Sequence, residues 1–172
     1  MVERRPVLRH DKMVCFDDEA DRFQMRAAAI AIRNGRVLVQ NIAGESTTFL
    51  PGGRIEQGEA STETLVREIE EEFGHVVQVG ALVFVMESFY PSRSQHFHEV
   101  SLYYRVEVGS DFPYHDSEIC HRCFEGTAEM EYRWVPVTEA ALDAARFHPR
   151  ALRTRLGSLP STTLHILDRD DE

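Results

Sequence analysis

Residues 53–75 read GRIEQGEASTETLVREIEEEFGH. The stretch opens as a loop and closes as a helix. From Pro51 to Gly58, four of eight residues are glycine or proline, which demands an unusual backbone. Ser61–Phe73 then carries Thr64, Leu65, Ile69 and Phe73 at helical spacing. Ser61 is the expected cap and Gly74 the expected stop. Glu56, Glu59, Glu63, Glu68, Glu71 and Glu72 crowd this segment, with Glu70 besides. Positions three and four apart share a helix face. Glu68, Glu71 and Glu72 are therefore expected to converge, with Glu70 in solvent. Like charges on one face weaken a helix unless a counter-charge arrives, and Arg67 supplies only one. Oxygen ligands at this spacing suit a hard cation, Mg²⁺ or Mn²⁺. Gly52 and Gly53 let the backbone approach closely, and their carbonyls are further candidate ligands. An acid run is ordinarily a solvated face; the glycine loop and the spacing argue against that here.

Upstream, RAAAIAIR (26–33) and RVLVQNI (36–42) flank Asn34-Gly35, the signal of a tight hairpin. Before them the chain reads as a short strand or arm over residues 1–24, with DDEAD (17–21) as an exposed turn. After the helix, Val76–Ser88 is strand-like, YPSRSQHFH (90–98) a polar loop, and VSLYYRVEV (100–108) a strand. Residues 109–130 read as irregular, and YRWVPV (132–137) as the last strand, anchored by Trp134. Thr138 caps an expected helix EAALDAARF, and Pro149 opens a second, RALRTRLG. Residues 158–172 are left as a tail, frayed at DRDDE. The fold class is α/β, mixed α+β, with helices covering a mixed sheet over one domain at 25–157.

The whole chain has 172 residues, with 19 basic and 29 acidic side chains and a formal net charge of −10. That balance disfavours nucleic acid as a partner. It still admits a phosphate-bearing small molecule if divalent metal lies between the acids and the anion. No stretch has the roughly 20 apolar residues of a membrane span. MVERRPVLRH lacks the apolar core of a secretory signal. Three cysteines give no disulfide framework, and a reducing cytoplasm is the expected compartment.

Gly53, Glu59, Arg67, Glu68, Ile69, Glu71, Glu72 and Gly74 stand in register with the signature of the Nudix hydrolases, which the segment Gly53 to His75 closely resembles. His75 is the one departure, at a position where the family carries an aliphatic residue. The resemblance implies an α/β/α sandwich and hydrolysis of a nucleoside diphosphate linked to another moiety. It implies Mg²⁺ or Mn²⁺ held by Glu68, Glu71 and Glu72, with the Gly53 carbonyl as a further ligand. Arg67 and Glu59 would hold the loop against the helix, and Arg67 supports the catalytic set in this way. Glu56 would belong to the outer metal shell. The general base would be Glu72 or an acid on a later loop. Glu129 is favoured there, and Glu131, Glu125 and Glu118 compete with it.

A proline about sixteen residues past the signature accompanies ADP-ribose hydrolysis in the family, and Pro91 stands there. Nearby, Tyr90 and Phe89 could stack on a base and Arg93 contact phosphate. A nucleoside triphosphate is the alternative substrate, and a non-catalytic nucleotide-binding module the alternative role. His96 and His98 read as surface or partly buried histidines, or as substrate contacts. Cys120-His121-Arg122-Cys123, with His115 upstream, has part of a zinc pattern. Cys15 reads as packed. The helices after Thr138 could also support a homodimer, which the family often forms.

Overall fold

The computed structural model describes residues 8–9, 12–92 and 94–169. Strand β3 (Asp21–Arg33) organises the sheet. Along one edge it runs parallel to β7 (Gln95–Glu107), from Asp21 opposite His96 to Ala31 opposite Val106. Along the other edge it pairs antiparallel with β2 (Cys15–Asp18), β5 (Gly52–Arg54) and β4 (Arg36–Ile42) in turn. The remaining strands are β1 (Leu8–Arg9), β6 (Gln78–Ser92), β8 (Ile119–Glu125), β9 (Ala128–Pro136) and β10 (Leu164–Arg169). The main path runs β10-β6-β7-β3-β4-β9-β8.

Side chains alternate across a strand, and the apolar run in β3 feeds two cores. Ala27, Ala29 and Ala31 pack with Leu65, Ile69 and Phe73 of α1 (Ser61–Phe73), and with Leu38 and Trp134. Ala28 and Ile30 face the other way, onto Phe84, Leu142, Leu152 and Leu156. That second core lies beneath α2 (Glu139–Ala144) and a 3-10 turn at Arg150–Leu152. The result is the three-layer sandwich expected, with a mixed sheet between helices. Among the described residues, no helix is long and apolar enough to cross a membrane.

Helix α1, its stop and the Asn34-Gly35 hairpin lie where the sequence places them. Asn34 and Gly35 have φ of 51° and 69°, and Gly74 ends α1 at φ 68°. Ser61 is not the cap: Ala60 is the last extended residue, and Glu63 Oε2 accepts its N–H at 2.8 Å. The Ser61 hydroxyl is hydrogen-bonded to that of Tyr104 instead, at 2.7 Å.

Four other expectations are corrected. YPSRSQHFH is mostly strand, because β6 and β7 form one long hairpin and β3 supplies a further pairing edge. Residues 119–125 form β8, turned at Gly126 (φ 60°) onto β9. The second helix shrinks to the 3-10 turn at Arg150–Leu152, followed by turns. The tail is not frayed where described: β10 pairs parallel with β6, from Leu164 opposite Phe84 to Arg169 opposite Phe89. Backbone pairing outweighs a polar composition in each of the strand cases.

Candidate active site

The loop before α1 is shaped by two glycines. Gly52 has φ 145°, and a Cβ there would lie 2.1 Å from the Ala27 carbonyl oxygen. A Cβ on Gly53 would lie 2.0 Å from Glu68 Oε1, so the Glu68 carboxylate rests directly on the Gly53 backbone. Pro51 accepts from the Ala29 N–H and Ile55 donates to Met25, which puts Gly53 opposite Ala27 in the hydrogen-bonded series. One carbonyl lone pair of Gly53 remains for a ligand. The Gly52 carbonyl accepts Nη2 of Arg26 at 3.2 Å.

Arg67 ties loop to helix. Its Nε and Nη2 donate to the two oxygens of Glu59 at 2.8 and 3.1 Å, a forked pair, and its Nη1 donates to Glu68 Oε1 at 2.7 Å. Glu59 also accepts the Glu56 N–H at 3.1 Å and the Thr64 hydroxyl at 2.8 Å. These donors, Arg67 first, hold its carboxyl down at about 2. Among the described residues, the Glu56 side chain has no hydrogen bond or ion pair, and only its backbone meets Glu59. A folded pKa below the ordinary value stabilises the fold above about pH 4.5 and is lost as pH falls toward about 2. Replacing Glu59 with glutamine should therefore flatten the acid limb of stability between those values, read by urea unfolding at stepped pH.

Glu68 and Glu72, one helical turn apart, face the sheet, and Glu71 stands on their solvent side, sharing Arg67 Nη1 with Glu68. It lies about 100° further back around the helix than Glu72, is 63% exposed, and is hydrogen-bonded by Arg67 Nη1 at 3.4 Å. Glu70 is exposed. Of the three acids expected to converge, Glu68 and Glu72 are partly buried and Glu71 is exposed beside Glu68. Glu72 Oε2 is buried with no hydrogen-bond partner. Tyr132, which is fully buried, lies near the same carboxylate, and its hydroxyl meets Cys123 Sγ at 3.6 Å. Burial, with Glu68 and Glu125 adding like charge, pushes the Glu72 carboxyl up to about 8. Burial also raises Glu68, with Glu71 and Glu125 adding to it, and Arg67 opposes the rise.

The C-terminal end of α1 is held by aromatics. Phe73 lies 4.6 Å from Phe112 and 4.5 Å from both His121 and Tyr132, centroid to centroid. His121 Nε2 reaches the Glu72 backbone carbonyl at 2.7 Å.

Strand parity decides among the later acids. Met130, Tyr132 and Trp134 of β9 point into the core beneath α1. Glu129 and Glu131 therefore point away from it. Glu129 lies 3.8 Å from Arg122, and Glu131 accepts from Arg122 and Arg133. Glu125 stands opposite Ala128, in phase with Met130, so it shares the helix side and its charge reaches both Glu68 and Glu72. Glu125, not Glu129, is the later acid at the site. Glu118 lies in the loop ordered by His115, whose Nδ1 accepts the N–H groups of Ser117 and Glu118.

Tyr90 and Phe89 are neighbours on β6 and point to opposite faces, so they cannot flank one base. Tyr90 stacks on Phe97 at 5.0 Å and donates to Glu99 Oε2 at 3.2 Å. Phe89 stacks on His98 at 4.4 Å, and Arg169 lies over its ring. Pro91 is exposed, opposite His96. Arg93 lies outside the described residues. His96 is 3.5 Å from Asp21. Cys15 is buried. Cys120 and Cys123 both contact Tyr132, and burial raises the Cys120 thiol to about 11. Among the described residues, no three His, Cys, Asp or Glu side chains stand close enough to enclose a metal as they are, in the CHRC segment or at α1.

The family model for the NUDIX domain matches residues 23–155, which include the loop, α1 and the paired carboxylates. The chain belongs to the NUDIX family. No curated protein matches it. Its NUDIX fold is shared with a NUDIX hydrolase from Nitrosomonas europaea (TM-score 0.53, 19% identity, 86% of this chain and 79% of that one). A Mutator MutT protein from Bacillus halodurans gives TM-score 0.53 at 17% identity, over 83% and 89% of the two chains. A MutT NUDIX hydrolase from Burkholderia pseudomallei gives 0.50 at 21% identity, over 72% and 95%. Sequence reasoning missed three residues of this NUDIX site: Arg26, His121 as a helix anchor, and Tyr132. Only the apolar alternation of β9 hinted at the last.

Proposed function

We propose that this NUDIX domain hydrolyses the diphosphate of a nucleoside diphosphate derivative, ADP-ribose or a nucleotide sugar, with Mg²⁺ or Mn²⁺ as cofactor. Family membership makes the chain a hydrolase of phosphoanhydride bonds; the proposal concerns its metal and its substrate. The observation that supports the metal is the buried, unpartnered Oε2 of Glu72 beside Glu68. A carboxylate so placed calls for a proton or a cation. The donors on offer are all oxygen, which fits a hard divalent ion. Glu68, Glu72 and the Gly53 carbonyl would hold it, with Glu125 nearby and Glu71 joining if it leaves Arg67. When bound, such an ion neutralises the diphosphate and acidifies a water.

The chain's own residues do the rest. Arg67 fixes Glu68 and, through Glu59, the glycine loop. His121 holds the Glu72 backbone carbonyl, and Tyr132 packs against the neighbouring Phe73. Glu72 or Glu125 takes the proton from the attacking water. Tyr90, Pro91 and Arg93 remain the proposed substrate contacts, and Tyr90 offers a half-buried ring beside Glu99.

A panel of ADP-ribose, nucleotide sugars, dinucleotides and nucleoside triphosphates tests this, with and without Mg²⁺ or Mn²⁺ and with products identified by mass. Metal-dependent release of AMP and ribose 5-phosphate from ADP-ribose is the expected result. Cleavage confined to triphosphates would replace the substrate assignment. No turnover of any member would overturn the proposal.

A further inference from the structure

Arg26 stands on β3 at the level where Ala27 opposes Gly53. Even-numbered residues of β3 point away from α1, and the side chain runs past β5 to the Gly52 carbonyl. Among the described residues that is its one hydrogen bond, so four of the five guanidinium N–H donors are unspent. Its neighbours are polar where the rest of that sheet face is apolar. Gln24 and Ser101 are buried. Glu99 accepts from Gln24 Nε2, from the Tyr90 hydroxyl at 3.2 Å and from Ser101 Oγ at 2.7 Å. The carboxylates of Glu99 and Glu68 both attract the Arg26 guanidinium.

No carboxylate among these described residues takes a hydrogen bond from the arginine. Glu99 has three donors of its own, and Glu68 has Arg67. A half-buried guanidinium with most of its fork free, between a saturated carboxylate and a pair of acidic site residues, is built to receive an oxyanion. We propose that Arg26 binds a phosphate group of the substrate, with the Gly52 carbonyl and Glu99 holding its guanidinium in place. Arg26 then supplies the fixed positive charge that an acidic site needs to retain a diphosphate. Glu99 acts through it as a positioning residue. The inference rests on the pyrophosphohydrolase reading and names the residue that grips its substrate.

The test is metal-free calorimetric titration of inorganic pyrophosphate, with EDTA present, into the wild type, Arg26→Met, Arg26→Lys and Glu99→Gln. Steady-state kinetics on the best substrate of the panel run alongside. Pyrophosphate affinity should fall at least about tenfold in Arg26→Met and less in Arg26→Lys, which keeps the charge and loses the fork. KM should rise more than kcat falls. Glu99→Gln should raise KM in the same direction and leave the melting temperature nearly unchanged. Should Arg26→Met not fold, Arg26→Lys carries the test, since a lysine fits the same space. Affinity and KM within about twofold of wild type in a folded Arg26 variant would overturn the inference. So would a wild type that binds no pyrophosphate without metal and an Arg26→Lys variant of unchanged KM. Arg26-dependent pyrophosphate binding without turnover of any substrate would sink the hydrolase reading and leave this inference standing.

Discussion

Glu72→Gln is expected to lower metal-dependent turnover by at least about a hundredfold and to leave the protein folded. The substitution keeps shape and removes the charge that draws the cation and accepts a proton. It also has a thermodynamic signature. The wild-type carboxyl is raised from 4.5 to about 8, so the folded state holds this proton more tightly than the unfolded chain. Its contribution to stability is complete below about pH 4.5 and is lost as pH rises through about 8. Without divalent ions, the wild type should thus lose stability across that interval, and Glu72→Gln should lose less. Urea titrations at stepped pH with EDTA measure the difference, and added Mg²⁺ should flatten the wild-type curve alone. Equal slopes for both proteins would show that the buried oxygen finds a partner in solution.

The second large effect separates two adjacent glycines. Alanine at position 52 sets a Cβ 2.1 Å from a backbone oxygen, at φ 145°. Neither partner can give way, and backbone strain alone is worth about 1–3 kcal/mol. Gly52→Ala should unfold at much lower denaturant or accumulate insoluble. Alanine at position 53 meets the end of a flexible side chain, Glu68, at 2.0 Å. That carboxylate can swing aside at the expense of its position. Gly53→Ala should keep a melting temperature near that of the wild type and lose about a hundredfold in turnover, the scale of a misplacement near 1 Å. Equal loss of folding in both variants would contradict the contact made by Glu68.

The box from Gly53 to Gly74 was readable because its residues act locally. Helical spacing, a positive-φ stop and a forked Glu59–Arg67 pair all lie within one short segment. What escaped depends on partners far along the chain. YPSRSQHFH reads as a loop until β3 supplies His96 and His98 with a neighbouring strand. Residues 164–169 read as a tail until β6 pairs with them. Spacing alone groups Glu71 with Glu68 and Glu72; packed against the sheet, α1 covers Glu68 and leaves Glu71 63% exposed. Glu125 and Glu129 are indistinguishable as loop acids. The register of β8 on β9, with Glu125 opposite Ala128 and Glu129 opposite Phe124, sends them to opposite faces.

The pairing of β10 with β6 also sets an order of events during synthesis. A growing chain presents the outer edge of β6 with its N–H and C=O groups bare until residue 169 has emerged, long after β6 and β7 can have joined. For that interval the half-made protein offers a template to any other extended chain nearby. The last strand acts as the guard of that edge, and a ribosome that stops short of it releases a sheet still open to strangers.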